Sequence, residues 1–194
     1  MKEIDFRKVY KKSWKYLLES RKFIYGVIVL FFFFSLIGFF IVPPEVIQEG
    51  IMKFLEELIE KTKDFGVFEM MNFIFWNNLK SSFIGMISGV FFGLFSLVNA
   101  ISNGYVLGFV GNFSVQENGF LILLRLLPHG IFELPAIFIS LGLGFKLGTF
   151  IFYSDWKNRF KNYFLNSLQV FILIVLPLLI IAAIIEGLLI GLGI

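Results

Sequence analysis

The chain has 194 residues, of which 58% are apolar, 16% are charged and 28 are phenylalanine. A soluble core of this size cannot bury so many apolar side chains, because a small domain keeps a large ratio of surface to volume. The composition therefore excludes a soluble enzyme, a disordered tail and a secreted disulfide scaffold. The chain has no cysteine, which excludes thiolate catalysis and Cys-ligated metal sites. An all-α, polytopic transmembrane helical bundle is predicted.

Charge alternates along the chain in a way that predicts the topology. The net charge is +5 over residues 1–22, −4 over residues 43–78 and +3 over residues 146–163. Lys and Arg beside membrane spans stay on the cytoplasmic side. We therefore expect a multi-pass protein of the cell membrane with a cytoplasmic N-terminus, an outer segment at 43–78 and about five spans.

The first 42 residues divide into an interfacial helix and a span. Residues 1–22 are predicted to form a basic amphipathic cytoplasmic helix, with one face made of Phe6, Tyr10, Trp14 and Leu17. This helix is interpreted as a topology anchor in contact with membrane lipids; docking of a protein partner is the alternative. Residues 23–42 carry no charge and end at two prolines, as expected of a first transmembrane helix.

The outer segment 43–78 is acidic and contains a second amphipathic helix at 45–64. Its apolar face consists of Ile47, Ile51, Leu55, Leu58 and Ile59, and its other face is rich in glutamate. The helix is too charged to span a membrane. It is expected to lie on the outer surface or cap the bundle, and the alternative is that it docks a partner protein.

Residues 79–194 are predicted to form the transmembrane core, with helices at about 79–98, 104–116, 132–152 and 163–190. Polar residues from Asn99 to Gly104 predict a helix break around 99–104, and Pro128 predicts another around 125–131. Irregular backbone at membrane depth must be covered by protein or line a wet cavity. Whether 104–130 spans or re-enters the membrane stays open.

Glycines recur at intervals of four residues, which places them on one helix face and lets two helices approach closely. This spacing predicts packing positions at Gly85, Gly89, Gly93, Gly144 and Gly148, with further pairs at 104 and 108 and at 187 and 191. Packing inside the bundle and assembly into a homodimer are both consistent with it.

Arg125, His129 and Glu133 are ionisable residues spaced four apart in an apolar region. Such groups are costly in a membrane and face partners or water. One interpretation is a structural lock, in which Glu133 pairs with Arg125 or with backbone groups freed at the break at 99–104. A second is a proton or ion pathway through His129 and Glu133. A metal site is disfavoured because the chain has one histidine and no cysteine.

No catalytic or cofactor motif is present. The sequence lacks a G-x-S-x-G elbow, a Walker A motif and a dinucleotide fingerprint. The basic residues flank spans, so they do not predict nucleic-acid binding. We expect no enzymatic activity, no metal and no cofactor.

The block Pro128-His129-Gly130, followed by Glu133-Leu134-Pro135-Ala136, resembles the stage II sporulation protein M family of integral membrane proteins. The resemblance covers roughly residues 70–150 and includes Asn77-Asn78, Gly89, Gly93, Asn103-Gly104, Leu107-Gly108, Gly144, Leu147 and Gly148. It implies that Asn77, Asn78, Asn103, Gly104, His129 and Glu133 are core positions of the family. The namesake scaffolds a membrane complex with peptidoglycan-degrading partners during endospore engulfment.

Two functional hypotheses follow. The first is a non-enzymatic membrane scaffold that recruits partners through residues 45–64 or the N-terminal helix. The alternative is a transporter or channel component with a polar site at Asn103, His129 and Glu133, where broken helices would meet.

Overall fold

The computed structural model describes residues 5–191, without the side chains of residues 118, 123–130, 132 and 191. Eight α-helices follow one another along this part of the chain: α1 (Phe6–Glu19), α2 (Arg21–Phe40), α3 (Glu45–Thr62), α4 (Val67–Ile87), α5 (Leu94–Asn118), α6 (Ile122–Gly148), α7 (Trp156–Val170) and α8 (Leu176–Gly191). No strand occurs among these residues, so the all-α prediction is confirmed for them.

Four helical segments are long and apolar enough to cross a membrane: Arg21–Phe40, Leu94–Glu117, Glu133–Phe152 and Trp156–Ile190. The last of these joins α7 and α8 through a π-helical turn at Phe171–Val175, a feature that bends a helix without ending it. α4 is not among the four segments, because it carries Glu69, Lys80 and several amides. Length and composition thus indicate a membrane protein.

The helices run up and down between two ends of the bundle. α1, the start of α2 and the beginning of α7 lie at one end, which we call the α1 end. The opposite α3 end holds α3 and the start of α4. α8 runs antiparallel to α4, since Phe171 packs against Phe83 and Gly187 packs against Met71.

The most extensive packing joins α2 and α5, which run parallel and touch backbone to backbone. A Cβ atom added at Gly104 would collide with the backbone of Phe31, and one at Gly108 would collide with Ser35. Tyr105 closes this seam by donating a hydrogen bond from its hydroxyl to the carbonyl of Ile41, over 3.0 Å.

A second close approach joins α6 to residues 88–93, which follow the end of α4. A Cβ atom at Gly89 would collide with the backbone of Gly144, and one at Gly148 would collide with Gly89 and Gly93. These glycines are therefore used inside the chain, and they supply no argument for a homodimer.

The helices are interrupted at other residues than the sequence predicts. α5 runs through 99–104 without a break, because Asn103 donates from its side chain to the Asn99 carbonyl, over 2.9 Å, and so is satisfied within the helix. The backbone of α6 likewise continues through 125–131, past Pro128. The chain instead turns at 88–93, where Phe92 and Gly93 adopt positive φ angles of 60° and 74°.

Adding one methyl group at the α2–α5 seam should destabilise the bundle. We expect Gly108→Ala to lower the free energy of unfolding by about 1–3 kcal/mol, since backbone atoms cannot move aside as a side chain can. The melting temperature in detergent measures the effect. Gly26→Ala is the matched control, because nothing lies within 4 Å of a Cβ atom there. Equal melting temperatures for the two variants would contradict the seam.

Candidate functional site

Two polar clusters lie inside the bundle, at different depths. One surrounds Glu133, and the other surrounds Lys146. Both residues lie on α6, which packs against α2, α4, α5, α7 and α8 and is therefore the central helix.

The Glu133 cluster consists of Glu133 on α6, Asn78 on α4 and Glu186 on α8. The carboxyl group of Glu133 forms a hydrogen bond with the side-chain amide of Asn78, which is 8% exposed. Glu186 lies within electrostatic range of Glu133. The cluster thus brings together one polar residue from each of α4, α6 and α8, three helices that pack against one another.

Two buried serines extend the cluster toward the α1 end. Ser82 follows Asn78 by one helical turn, and Ser140 follows Glu133 by two turns, so both share the faces of those residues. Neither hydroxyl has a hydrogen-bond partner among the described residues. Two buried hydroxyls without a partner among the described residues therefore follow the Glu133 cluster along α4 and α6.

The Lys146 cage consists of Lys146 with Tyr16, Ser20, Tyr163 and Ser167. Lys146 is only 6% exposed, and its Nζ lies 3.7 Å from the centre of the Tyr16 ring and 5.4 Å from that of Tyr163. An ammonium over an aromatic face is attracted by the ring quadrupole. Nζ also donates to Ser20 Oγ over 3.0 Å, and Ser20 in turn donates to the Tyr16 carbonyl over 2.7 Å.

The same cage fastens α1 to α7. The Tyr16 hydroxyl donates to the carbonyl of Tyr163 over 3.4 Å and lies 3.5 Å from Ser167 Oγ. Burial raises the pKa of Tyr16 well above its usual range, so the phenol keeps its proton as a donor. The N-terminal helix is therefore held at its C-terminal turn, while its first turns extend away.

The residues singled out in the sequence are only partly brought together. Asn78 and Glu133 meet, whereas Asn77 lies exposed on the other side of α4. Asn103 is exposed and bonded to Asn99, and Gly104 packs against α2. The side chains of Arg125 and His129 lie outside those described.

The geometry corrects one part of the interpretation of Glu133 as a structural lock. Glu133 bonds the side chain of Asn78 and not backbone groups at 99–104, because α5 has no free backbone groups there. Glu186, Lys146 and Tyr16 were missed as members of polar clusters. An isolated charge inside an apolar run was the available signal for Glu186 and Lys146, but it does not reveal the partner.

The described residues hold no group of three or more His, Asp or Glu side chains arranged to bind a metal ion. The polar groups of the two clusters can hold helices together through hydrogen bonds.

Comparison with known proteins finds a matching family and similar proteins. The model of the family described as Stage II sporulation protein M matches residues 27–189. The chain is 30% identical to the uncharacterized protein MJ0706 of Methanocaldococcus jannaschii over 178 residues, which make up 88% of this chain and 78% of that protein. It is 41% identical to the uncharacterized protein MJ0793 of the same organism over 76 residues, which make up 38% of this chain and 43% of that relative. The match therefore spans less than half of the second relative, and no solved structure matches.

Removing the Lys146 ammonium should loosen α1. We expect Lys146→Met, which keeps much of the apolar stem, to lower the free energy of unfolding by about 1–2 kcal/mol. Trypsin should also cleave the lysines of α1 faster. Lys161→Met, at an exposed position of α7, is the control for the loss of one charge. Identical cleavage rates in the two variants would show that the cage does not hold α1.

The bond between Asn78 and Glu133 can be measured with a double-mutant cycle. We expect Asn78→Ala and Glu133→Ala to couple by about 0.6–1.7 kcal/mol, the range found for hydrogen bonds between membrane helices. The melting temperatures of the four proteins in detergent give the coupling. The same cycle with Asn77→Ala should give none, because Asn77 lies on the exposed face of α4. Coupling of equal size in both cycles would refute a specific bond.

Proposed function

Because the chain belongs to the stage II sporulation protein M family, we propose that it is a non-enzymatic membrane scaffold that recruits partner proteins. Four apolar helices supply the membrane anchor. The proposal puts the recruiting surface on α3 and places that helix outside the cell, in agreement with the alternating charge of the chain.

The exposure of α3 is the observation that carries this proposal. No residue of α3 is buried, and the helix forms no extensive packing with any other described helix. Several of its apolar side chains stay accessible: Ile47, Phe54 and Ile59 are 51%, 56% and 67% exposed, whereas Ile51, Leu55 and Leu58 are half-buried. A helix that exposes apolar side chains beside an acidic face is suited to binding something else.

The N-terminal helix fits a supporting role at the opposite end. α1 is held by the Lys146 cage, and its aromatic residues Tyr10 and Trp14 remain half exposed next to four lysines. Aromatic rings and lysines together favour the anionic cytoplasmic leaflet. Under this proposal α1 fixes the bundle at the inner surface and leaves α3 free for a partner.

A transporter or channel component is the second candidate. The polar site expected for it consists of Asn103, His129 and Glu133. The structure removes Asn103 from this set, because its side chain bonds Asn99 on an unbroken helix. The Glu133 cluster with its two buried serines favours this candidate instead, since ionisable groups inside membrane proteins mark ion and proton pathways.

The scaffold proposal predicts a partner that depends on α3. We expect a protein to follow the tagged chain in stoichiometric amount when it is purified from its native membranes. Phe54→Ala combined with Ile59→Ala, or deletion of 45–64, should lose that protein, because either change removes apolar contact area. Leu36→Ala is the matched control, since Leu36 is 60% exposed on α2.

A preparation that contains this chain alone would contradict recruitment. Flux of ions or metabolites into proteoliposomes would then support the second candidate. The Glu133→Gln variant should reduce that flux while the protein remains folded.

A further inference from the structure

The face of α4 that points away from the bundle is unusually polar for a helix packed beside a candidate span. α4 buries Ile74, Asn78, Ser82, Gly85 and Met86. The opposite side carries Glu69, Asn72, Phe73, Trp76, Asn77 and Lys80. The end of α3 and Phe65, which follows it, contact this side at Phe73.

This side of α4 and the end of α3 form a groove of about 480 Å³, which we call the α4 groove. It is lined by Lys61, Phe65, Glu69, Asn72, Phe73, Trp76, Asn77 and Lys80. Phe65 packs edge-on against Phe73 at 5.8 Å between ring centres, and Lys61 Nζ lies 5.2 Å from the centre of the Phe73 ring. Aromatic rings therefore form one part of the groove, and amides and ammonium groups form the other.

The polar groups of the groove act as donors. The Glu69 carboxylate already accepts a hydrogen bond from the backbone N–H of Gly66, over 2.9 Å, and so caps α4. Neither Lys61 nor Lys80 forms an ion pair with another described residue. The lining of the groove therefore contains two ammonium groups, two amides and one carboxylate, which is engaged at Gly66.

The groove extends from Lys80 to the α3 end of the bundle, the end at which the candidate span α2 stops at Phe40. Helical side chains lean toward the N-terminus of their helix, so Lys80 leans toward the α3 end and into the groove. A lysine near the end of a span extends its ammonium to the headgroup layer.

We propose that the α4 groove binds the phosphate group of an anionic phospholipid. Lys61 and Lys80 neutralise the phosphate, Asn72 and Asn77 donate hydrogen bonds to it, and the rings of Phe73 and Trp76 contact the apolar part of the lipid. A second copy of the chain does not fit as the occupant. Two copies inserted in the same direction and related by a twofold axis would bring Lys80 against Lys80 at the same depth.

Native mass spectrometry of the purified chain with added phosphatidylglycerol or phosphatidylcholine tests the proposal. We expect more bound phosphatidylglycerol than phosphatidylcholine, with the preference reduced about fivefold by Lys80→Gln and by Lys61→Gln, the contribution of one lysine at an anionic membrane surface. Lys53→Gln, an exposed position of α3 outside the groove, should keep the preference. Unchanged melting temperatures in detergent confirm that the variants remain folded.

Three results would overturn the proposal. The first is equal binding of the two lipids. The second is a Lys80→Gln variant that binds as much phosphatidylglycerol as the Lys53→Gln variant. A Lys80→Gln variant that loses a co-purified protein but no lipid counts in the same way. The third is displacement of the lipid by inorganic phosphate alone, which would identify a site for the free anion. Lys80 lies outside α3, and lipid binding is measured without a protein partner. A negative result for the lipid would therefore not contradict the scaffold proposal, which is tested separately.

Discussion

Direct contact between helix backbones is the constraint on which this architecture depends. Lipid tails are as apolar as leucine, so apolar side chains alone do not drive membrane helices together, and close van der Waals packing must do so. Glycine provides it twice, where α5 meets α2 at Gly104 and Gly108 and where the turn after α4 meets α6 at Gly89 and Gly144. Both contacts are made without a side chain between the backbones.

The position of the Glu133 cluster follows from the second of these contacts. When Gly89 lies on Gly144 and Gly85 lies on Leu141, α4 and α6 run side by side in a fixed register. Continuing that register along both helices brings Asn78 beside Glu133, as is observed. A shift of one turn between α4 and α6 would separate Asn78 from Glu133, and losing the partner of a buried polar group is costly inside a membrane. The glycines therefore select the register, and the hydrogen bond makes the alternatives unfavourable.

Several elements could be predicted from the sequence because their signals are local. The helical class followed from composition, and the family resemblance is confirmed by a match over 27–189. Glycine spacing showed which faces pack closely, but it cannot show whether the partner belongs to the same chain. The turn at 88–93 was missed because Asn99 to Gly104 gave a stronger polar signal, although an amide that bonds its own helix does not interrupt it. Asn77 and Asn78 are adjacent in sequence, and only the rotation of α4 decides that one enters the cluster and the other the groove.

The two ends of the bundle differ in how firmly they hold their amphipathic helix, and this difference has a consequence for function. At the α1 end, Lys146 lies over the Tyr16 ring and bonds Ser20, which is 126 residues away in the sequence, an arrangement that no local pattern reveals. At the α3 end, α3 has no buried residue, and contacts such as that of Lys61 with the Phe73 ring hold it at the surface of α4. Binding of a partner to α3 would therefore break no buried contact. Under the scaffold proposal, α1 is the helix that stays in place and α3 is the helix available to a partner.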